Sequence, residues 1–331
     1  MAGYIARRLV AAFLVVVLTS MFVFALFFLG PTNPAAAVCN ANGRCTQEKQ
    51  KLIEHEMGLD QSVVTQYGVF VKGLFVDRTV NVGAAYHCDA PCLGISYGSR
   101  TEVTKELTQL YPATLSLAIG GASLYLIVGV LLGSLAARWR GTAADRLLVG
   151  TSLTLSSVPY YLLALVAWIF LYLQWHVFPE SGYTPLTQNP AKWFTGLLLP
   201  WLVLGIYGST NYARFTRGSM VDSLGEDYIR TAVAKGVKSN KVIFKHGLRA
   251  AIVPVVTIFG LDFASLLAGT IFTEQIFDIQ GIGHWALDGL QAPLDFPVIL
   301  ATVLVSAILV VVANLVVDIV YSFIDPRVRL A

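Results

Sequence analysis

The sequence predicts an all-α membrane protein with six transmembrane helices and a long segment between the first two. Three observations carry that prediction. The chain is 56% apolar with only 13% charged residues and a mean hydropathy of +0.66, whereas a soluble domain carries about a quarter charged residues to keep its surface solvated. It holds six apolar stretches near the ~20 residues that a helix rising about 1.5 Å per residue needs to cross a bilayer. Its Lys and Arg residues concentrate in alternate connecting segments, as the retention of basic flanks on the cytoplasmic side requires. A net charge of +3 is too small to suggest a nucleic-acid partner.

In chain order the predicted spans are Leu9–Leu29, Leu115–Ala137, Leu147–Leu173, Gly196–Phe215, Ala251–Ile271 and Val298–Tyr321. The first has a decoy reading. Arg7-Arg8, an apolar run and the small residues Ala35–Ala37 look like a cleavable signal peptide. The run is longer than a signal core, five spans follow it, and Val38 before Cys39 spoils a lipoprotein site, so an uncleaved helix is expected. Gly129 and Gly133 in the second span form a G-x-x-x-G pair, which reads as close helix packing.

Direction follows from the basic residues. With the N-terminus inside, the cytoplasmic segments hold Arg7, Arg8, Arg138, Arg140, Arg146, Arg327 and Arg329. The loop after span four adds Arg214, Arg217, Arg230, Lys235, Lys238, Lys241, Lys245 and Arg249, which brings the total to fifteen of the 23 basic residues. The short outer loops hold only Lys192, and the stretch from Thr273 to Pro297 has four acids and no Lys or Arg. Both termini are expected in the cytoplasm.

All four cysteines, Cys39, Cys45, Cys88 and Cys92, fall between spans one and two, on the predicted outer side where thiols oxidise. Their spacing suggests the local bridges Cys39–Cys45 and Cys88–Cys92, although four cysteines allow three pairings. A structural zinc site using His87 beside Cys88 is set aside, because no second histidine is suitably spaced and the compartment opposes free thiolates, so no metal site is expected. From Gln47 to Gly73, Leu52, Ile53, Met57, Val64, Tyr67 and Val71 recur at helical spacing.

The loop Glu226–Pro254 is long for a membrane connection, and its composition is helical. Glu226 and Asp227 suit a helix N-terminus, where the macrodipole favours negative charge. Ala232 and Ala234 favour its interior and Gly236 is placed to end it. Ser239 is a candidate cap for a second helix that runs into span five. A short helix, a turn and a second helix on the ATP-containing side form a natural dock for a soluble partner.

Arg230-Thr231-Ala232-Val233-Ala234-Lys235-Gly236 resembles the EAA loop of binding-protein-dependent ABC importer permeases, in the form of the dipeptide/oligopeptide branch. The opening Tyr4-Ile5-Ala6-Arg7-Arg8-Leu9, Met57-Gly58-Leu59-Asp60, Pro112-Ala113-Thr114-Leu115 and Ser181-Gly182-Tyr183 are similar to the family too. So is the ending Asn314–Asp318 with Asp325-Pro326-Arg327. In that order the motifs span nearly the whole chain. Departures are Arg230 where the motif commonly opens with Glu, Gln280-Gly281-Ile282-Gly283 in place of a Pro-Gly, and an insertion around residues 81–96. The resemblance implies a type I ABC importer permease fold. It also implies a helix, Glu226, Asp227, Tyr228, Ile229, Arg230, Thr231, Ala232, Lys235 and Gly236, that couples to ATPase subunits. Implied partners are a homologous sister permease, two ABC ATPases carrying ATP and Mg, a substrate-binding protein and lipid. Residues 1–30 then form an N-terminal helix, 31–109 an extracytoplasmic segment, and 110–331 a five-helix core with coupling loop 217–250.

Asp262 near the middle of span five is expensive in hydrocarbon unless it faces a cavity or a partner. It is a candidate for the translocation path and equally a candidate for a helix–helix hydrogen bond. Asp318, near the cytoplasmic end, reads as packing. The isolated His246 and His284 receive no ligand role. The chain has no Gly-Lys dipeptide, so a phosphate loop is impossible, and H-E-x-x-H is absent. No catalytic residue, no nucleophile elbow and no cofactor of its own are expected. The alternative is a secondary transporter driven by an ion gradient, for which the sequence offers no convincing three-span repeat.

Overall fold

The computed structural model describes residues 2–29, 33–41, 45–291 and 294–324. Arg327 and Arg329 of the tail, and the Asp318 side chain, lie outside the described residues. The chain divides into two compact units, Met1–Thr114 with Gln280–Val312, and Leu115–Ile279 with Ala313–Ala331. Two long helices, α5 (Val103–Arg138) and α14 (Phe296–Ile324), each begin in the first unit and end in the second.

The first unit opens with α1 (Ala2–Leu29), whose Leu9, Val10, Phe13, Leu14 and Leu18 stand exposed, as a lipid-facing helix requires. Its other side packs on α4 (Val63–Gly73), where Ser20 Oγ lies 2.8 Å from the Tyr67 hydroxyl and the Phe24 ring meets Tyr67 and Phe70. Between them come α2 (Pro34–Ala41) and α3 (Gln47–Glu56), and a disulfide joins Cys39 to Cys45. The helical stretch expected from Gln47 to Gly73 is therefore two helices. Gly58, at φ +69°, takes the left-handed turn that separates them.

The all-α expectation needs an addition here. Strands β1 (Arg78–Asn81) and β2 (Ala85–Cys88) form an antiparallel hairpin in which Arg78 faces Cys88 and Thr79 faces His87. A second disulfide ties Cys88 to Cys92. A buried carboxylate then organises the unit. Asp295 accepts from Ser96 Oγ at 2.5 Å and from the Gly98 N–H at 3.0 Å, and it caps α14 by accepting from the Val298 N–H at 3.5 Å.

The second unit packs α5 on α8 (Pro190–Leu224). A Cβ at Gly129 would stand 2.3 Å from Tyr212 Cβ, and one at Gly133 would stand 2.5 Å from the Ala213 carbonyl. Only glycine admits this approach. The third predicted span is corrected: α6 (Ala143–Ser157) and α7 (Tyr160–Ala167, continued by the π-helical Trp168–Gln174) meet at 94° rather than forming one rod. Pro159 has no N–H to donate and pushes Val158 out of the α region, to ψ 131°. Among the described residues five other helices are long and apolar enough to cross a membrane, six spans if the bent pair counts as one.

After α8 come α9 (Asp227–Ala234), α10 (Ser239–Lys241), a π-helical turn (Val242–Gly247) and α11 (Leu248–Leu267). Ser239 is not the cap expected of it. Lys238 holds the cap position with extended backbone and no side-chain bond, and Ser239 is the first helical residue. The short helices α12 (Ile271–Ile276) and α13 (Ile282–Gly289) lead towards α14.

Candidate functional site

Two places in the second unit collect the residues singled out from the sequence. The first is α9. Glu226 occupies its N-cap position and Asp227 its first turn. At the other end Gly236, at φ +76°, takes the left-handed position. Its N–H bonds the Val233 carbonyl, and the Val237 N–H bonds the Ala232 carbonyl, at 2.9 and 3.2 Å. Those two bonds close the helix in a Schellman turn. Of the α9 side chains only Ile229 is buried, and the helix packs on the π-helical turn Val242–Gly247.

The other face of α9 is open. Tyr228 and Val233 are half exposed, Thr231 and Lys235 are exposed, and Ala232 is partly covered. Arg230 Nη1 lies 3.4 Å from Asp227 Oδ1 with both side chains in solvent, a pairing worth little in stability. Beside this face is a pocket of about 270 Å³ lined by Tyr228, Lys245, His246, Arg249 and Ala250. Partial burial and the Glu226 carboxylate push the Tyr228 phenol above its usual range. The result is an exposed, apolar-and-basic knob held by one buried anchor.

The second place surrounds Asp262 on α11. Its Oδ2 accepts from the Tyr212 hydroxyl of α8 at 2.8 Å. Tyr212 packs tilted against Tyr125 of α5 with ring centroids 4.8 Å apart, and Phe259 packs edge-on to both rings. Asp262 itself is exposed, on a cavity of about 440 Å³ that Asn211, Tyr212, Arg214, Phe215 and Ile258 also line. The helix–helix hydrogen bond and the open cavity, weighed as alternatives from the sequence, coexist on one carboxylate.

Sequence reasoning missed two features. One is the ion pair between Asp145 of α6 and Arg217 of α8, a buried acid on a basic residue counted only as a topology marker. The signal was present: Asp145 is the one acid between Arg138 and Arg146, three residues after the Thr142 cap. The other corrects the expectation of no nucleophile elbow pattern. Gly94-Ile95-Ser96-Tyr97-Gly98 does fit G-x-S-x-G. Ser96 is buried, sits in a loop rather than a strand-to-helix turn, and donates to Asp295. No histidine bonds it among the described residues, so it lacks the base that a nucleophile needs.

Comparison with known proteins covers almost the whole chain. The model for "Binding-protein-dependent transport system inner membrane component" matches residues 129–330, and the corresponding N-terminal model matches residues 1–118. A Sinorhizobium fredii protein named "Probable peptide ABC transporter permease protein" is 34% identical over 329 residues, covering 99% of this chain and 100% of the relative. The dipeptide transport system permease protein DppB of Escherichia coli is 34% identical over 352 aligned residues, covering 99% of each chain.

Proposed function

The chain belongs to the family of binding-protein-dependent transport system inner membrane components, and on that premise we propose that it is the permease subunit of an ATP-driven importer of di- or oligopeptides or similar small solutes. It is a multi-pass membrane protein, and in its family ATP is hydrolysed by separate subunits. The peptide assignment rests on the names of its relatives.

The observation that carries the coupling role is α9, a short helix fixed by Ile229 and closed at Gly236 with its remaining side chains wholly or partly exposed towards a partner's groove. In this reading two ATPase subunits, carrying ATP and magnesium, seat that helix on the permease pair. A homologous sister permease supplies the other half of the pore, and an extracytoplasmic binding protein delivers the solute. ATP biases the pore between its two states only through contacts that differ between them. Both termini and loop 217–250 lie in the cytoplasm, segment 31–109 lies outside, and Asp262 faces the solute path. The basic residues of the loop after span four support that orientation.

A pull-down of the tagged chain from mild detergent tests the assembly. Recovery of a homologous permease and Walker-containing ATPases is the expected result. Recovery of this chain alone, active in uptake driven by a proton or sodium gradient, would replace the importer with a secondary transporter.

A further inference from the structure

The open end of the β1–β2 hairpin gathers three metal-ligating side chains. Arg78 and Cys88 are the last residues in register. One residue beyond that last pair, just outside the strands, come Asp77 and Asp89. His87 shares their face, because alternate residues of a strand point to the same side. The ligand atoms of Asp77, His87 and Asp89 all lie within 4.8 Å of one another, and all three residues are exposed. Two carboxylates held this close repel. A cation between them reverses the sign of that interaction.

We propose that Asp77, His87 and Asp89 bind a divalent transition ion, with zinc as the representative. His87 Nε2 is 3.1 Å from Asp89 Oδ1. Two ligands that each lie about 2.1 Å from a zinc ion are themselves about 3.0–3.4 Å apart at octahedral or tetrahedral angles. That edge of the site needs no rearrangement. Asp77 closes the third position by turning an exposed side chain inward. Its Oδ1 accepts the Ala90 N–H at 2.7 Å, which holds the carboxylate at the hairpin end and leaves Oδ2 for the ion. Such outer bonds orient metal-bound carboxylates.

The competing cation is Lys105, whose Nζ lies 3.3 Å from Asp89 Oδ2. It also reaches Glu102 at 2.6 Å, so it keeps a carboxylate when the metal takes Asp89. One imidazole and only two carboxylates favour zinc-like ions over magnesium or calcium, which prefer oxygen-rich shells. Cys88 and Cys92 are joined to each other, so the site is built on nitrogen and oxygen, unlike the thiolate site set aside from the sequence. Three protein ligands leave at least one coordination position open to water or to a group carried by another molecule.

The test is zinc titration of the full-length, tag-free chain in detergent against a competing colorimetric chelator, after prior removal of metals. The wild type is expected to hold one zinc per chain with its disulfides intact by thiol labelling. His87→Ala and Asp77→Asn, both at exposed positions, are expected to weaken binding by about tenfold or more. Unchanged melting temperatures of the metal-free variants exclude misfolding as the cause. Zinc held equally by the wild type and both variants, or not held by the wild type, overturns the proposal.

Discussion

Asp145 and Arg217 grip each other with two bonds, Nε to Oδ1 at 2.5 Å and Nη2 to Oδ2 at 2.7 Å, and so fasten α6 to α8. The Gly141 N–H adds a third donor at 2.9 Å. The carboxylate is 4% exposed and the guanidinium 29%. Arg217 lies near the end of α8 from which α9 departs, so the clasp anchors the base on which α9 stands.

Removing one member of a buried pair strands the other charge, at a cost of about 3 kcal/mol for a pair with one partly solvated member. Asp145→Asn and Arg217→Met should each lower the melting temperature of the purified protein. The exchanged pair Asp145→Arg with Arg217→Asp should recover part of the loss. Thermal unfolding followed by tryptophan fluorescence checks this, and an exchanged pair worse than both single variants would show that geometry outweighs charge.

Gly236 holds a left-handed backbone that costs other residues about 1–2 kcal/mol. Gly236→Val should distort the end of α9 without touching the spans. In the reconstituted complex, uptake per ATP hydrolysed should fall. Arg230→Glu should act likewise by reversing an exposed charge, since its pairing with Asp227 contributes little to stability. Normal uptake in both variants, measured in proteoliposomes, would remove α9 from the coupling role.

Asp262→Asn keeps an oxygen for the Tyr212 hydroxyl and deletes the charge. Stability should change little while uptake falls. Tyr212→Phe deletes the bond and keeps the charge, and should do the reverse. Comparing uptake with melting temperature across the two variants separates path from packing. Unaltered transport in Asp262→Asn would end the path assignment.

Asp295→Ala would leave the buried Ser96 Oγ and the more exposed Gly98 N–H without their acceptor and α14 without its cap. A loss of about 3 kcal/mol is expected from the charge-assisted bonds. Limited proteolysis should then cut between Asn81 and Glu102 faster than in the wild type. An unchanged digest would assign the organisation of this segment to the disulfides alone.

The spans were legible because crossing a bilayer demands a composition that few other structures tolerate. The Schellman end of α9 was legible because only glycine suits Gly236 cheaply. The bend at Pro159 was missed although its local cause stood in the sequence: hydropathy averages over a window and registers composition, not direction. The hairpin is too short for a periodic signal at four residues per strand. The meeting of Asp145 with Arg217 depends on helix packing across 72 residues, and that of Asp77 with Asp89 depends on strand register. No single window of sequence contains either.

The 94° bend between α6 and α7 has a bearing on how this chain survives in a cell. Around it cluster Thr151, Thr154, Ser156 and Ser157, whose hydroxyls donate back to carbonyls of their own helix. Thr151, Thr154, Ser157 and Pro159 lie open on the single chain. Hydrocarbon cannot hydrate the backbone groups that such a bend sets free. A solitary copy is thus a poor solute for lipid, and a companion surface or a water-filled passage must complete its solvation. Its abundance should therefore track that of its companions, because membrane quality control would clear the surplus.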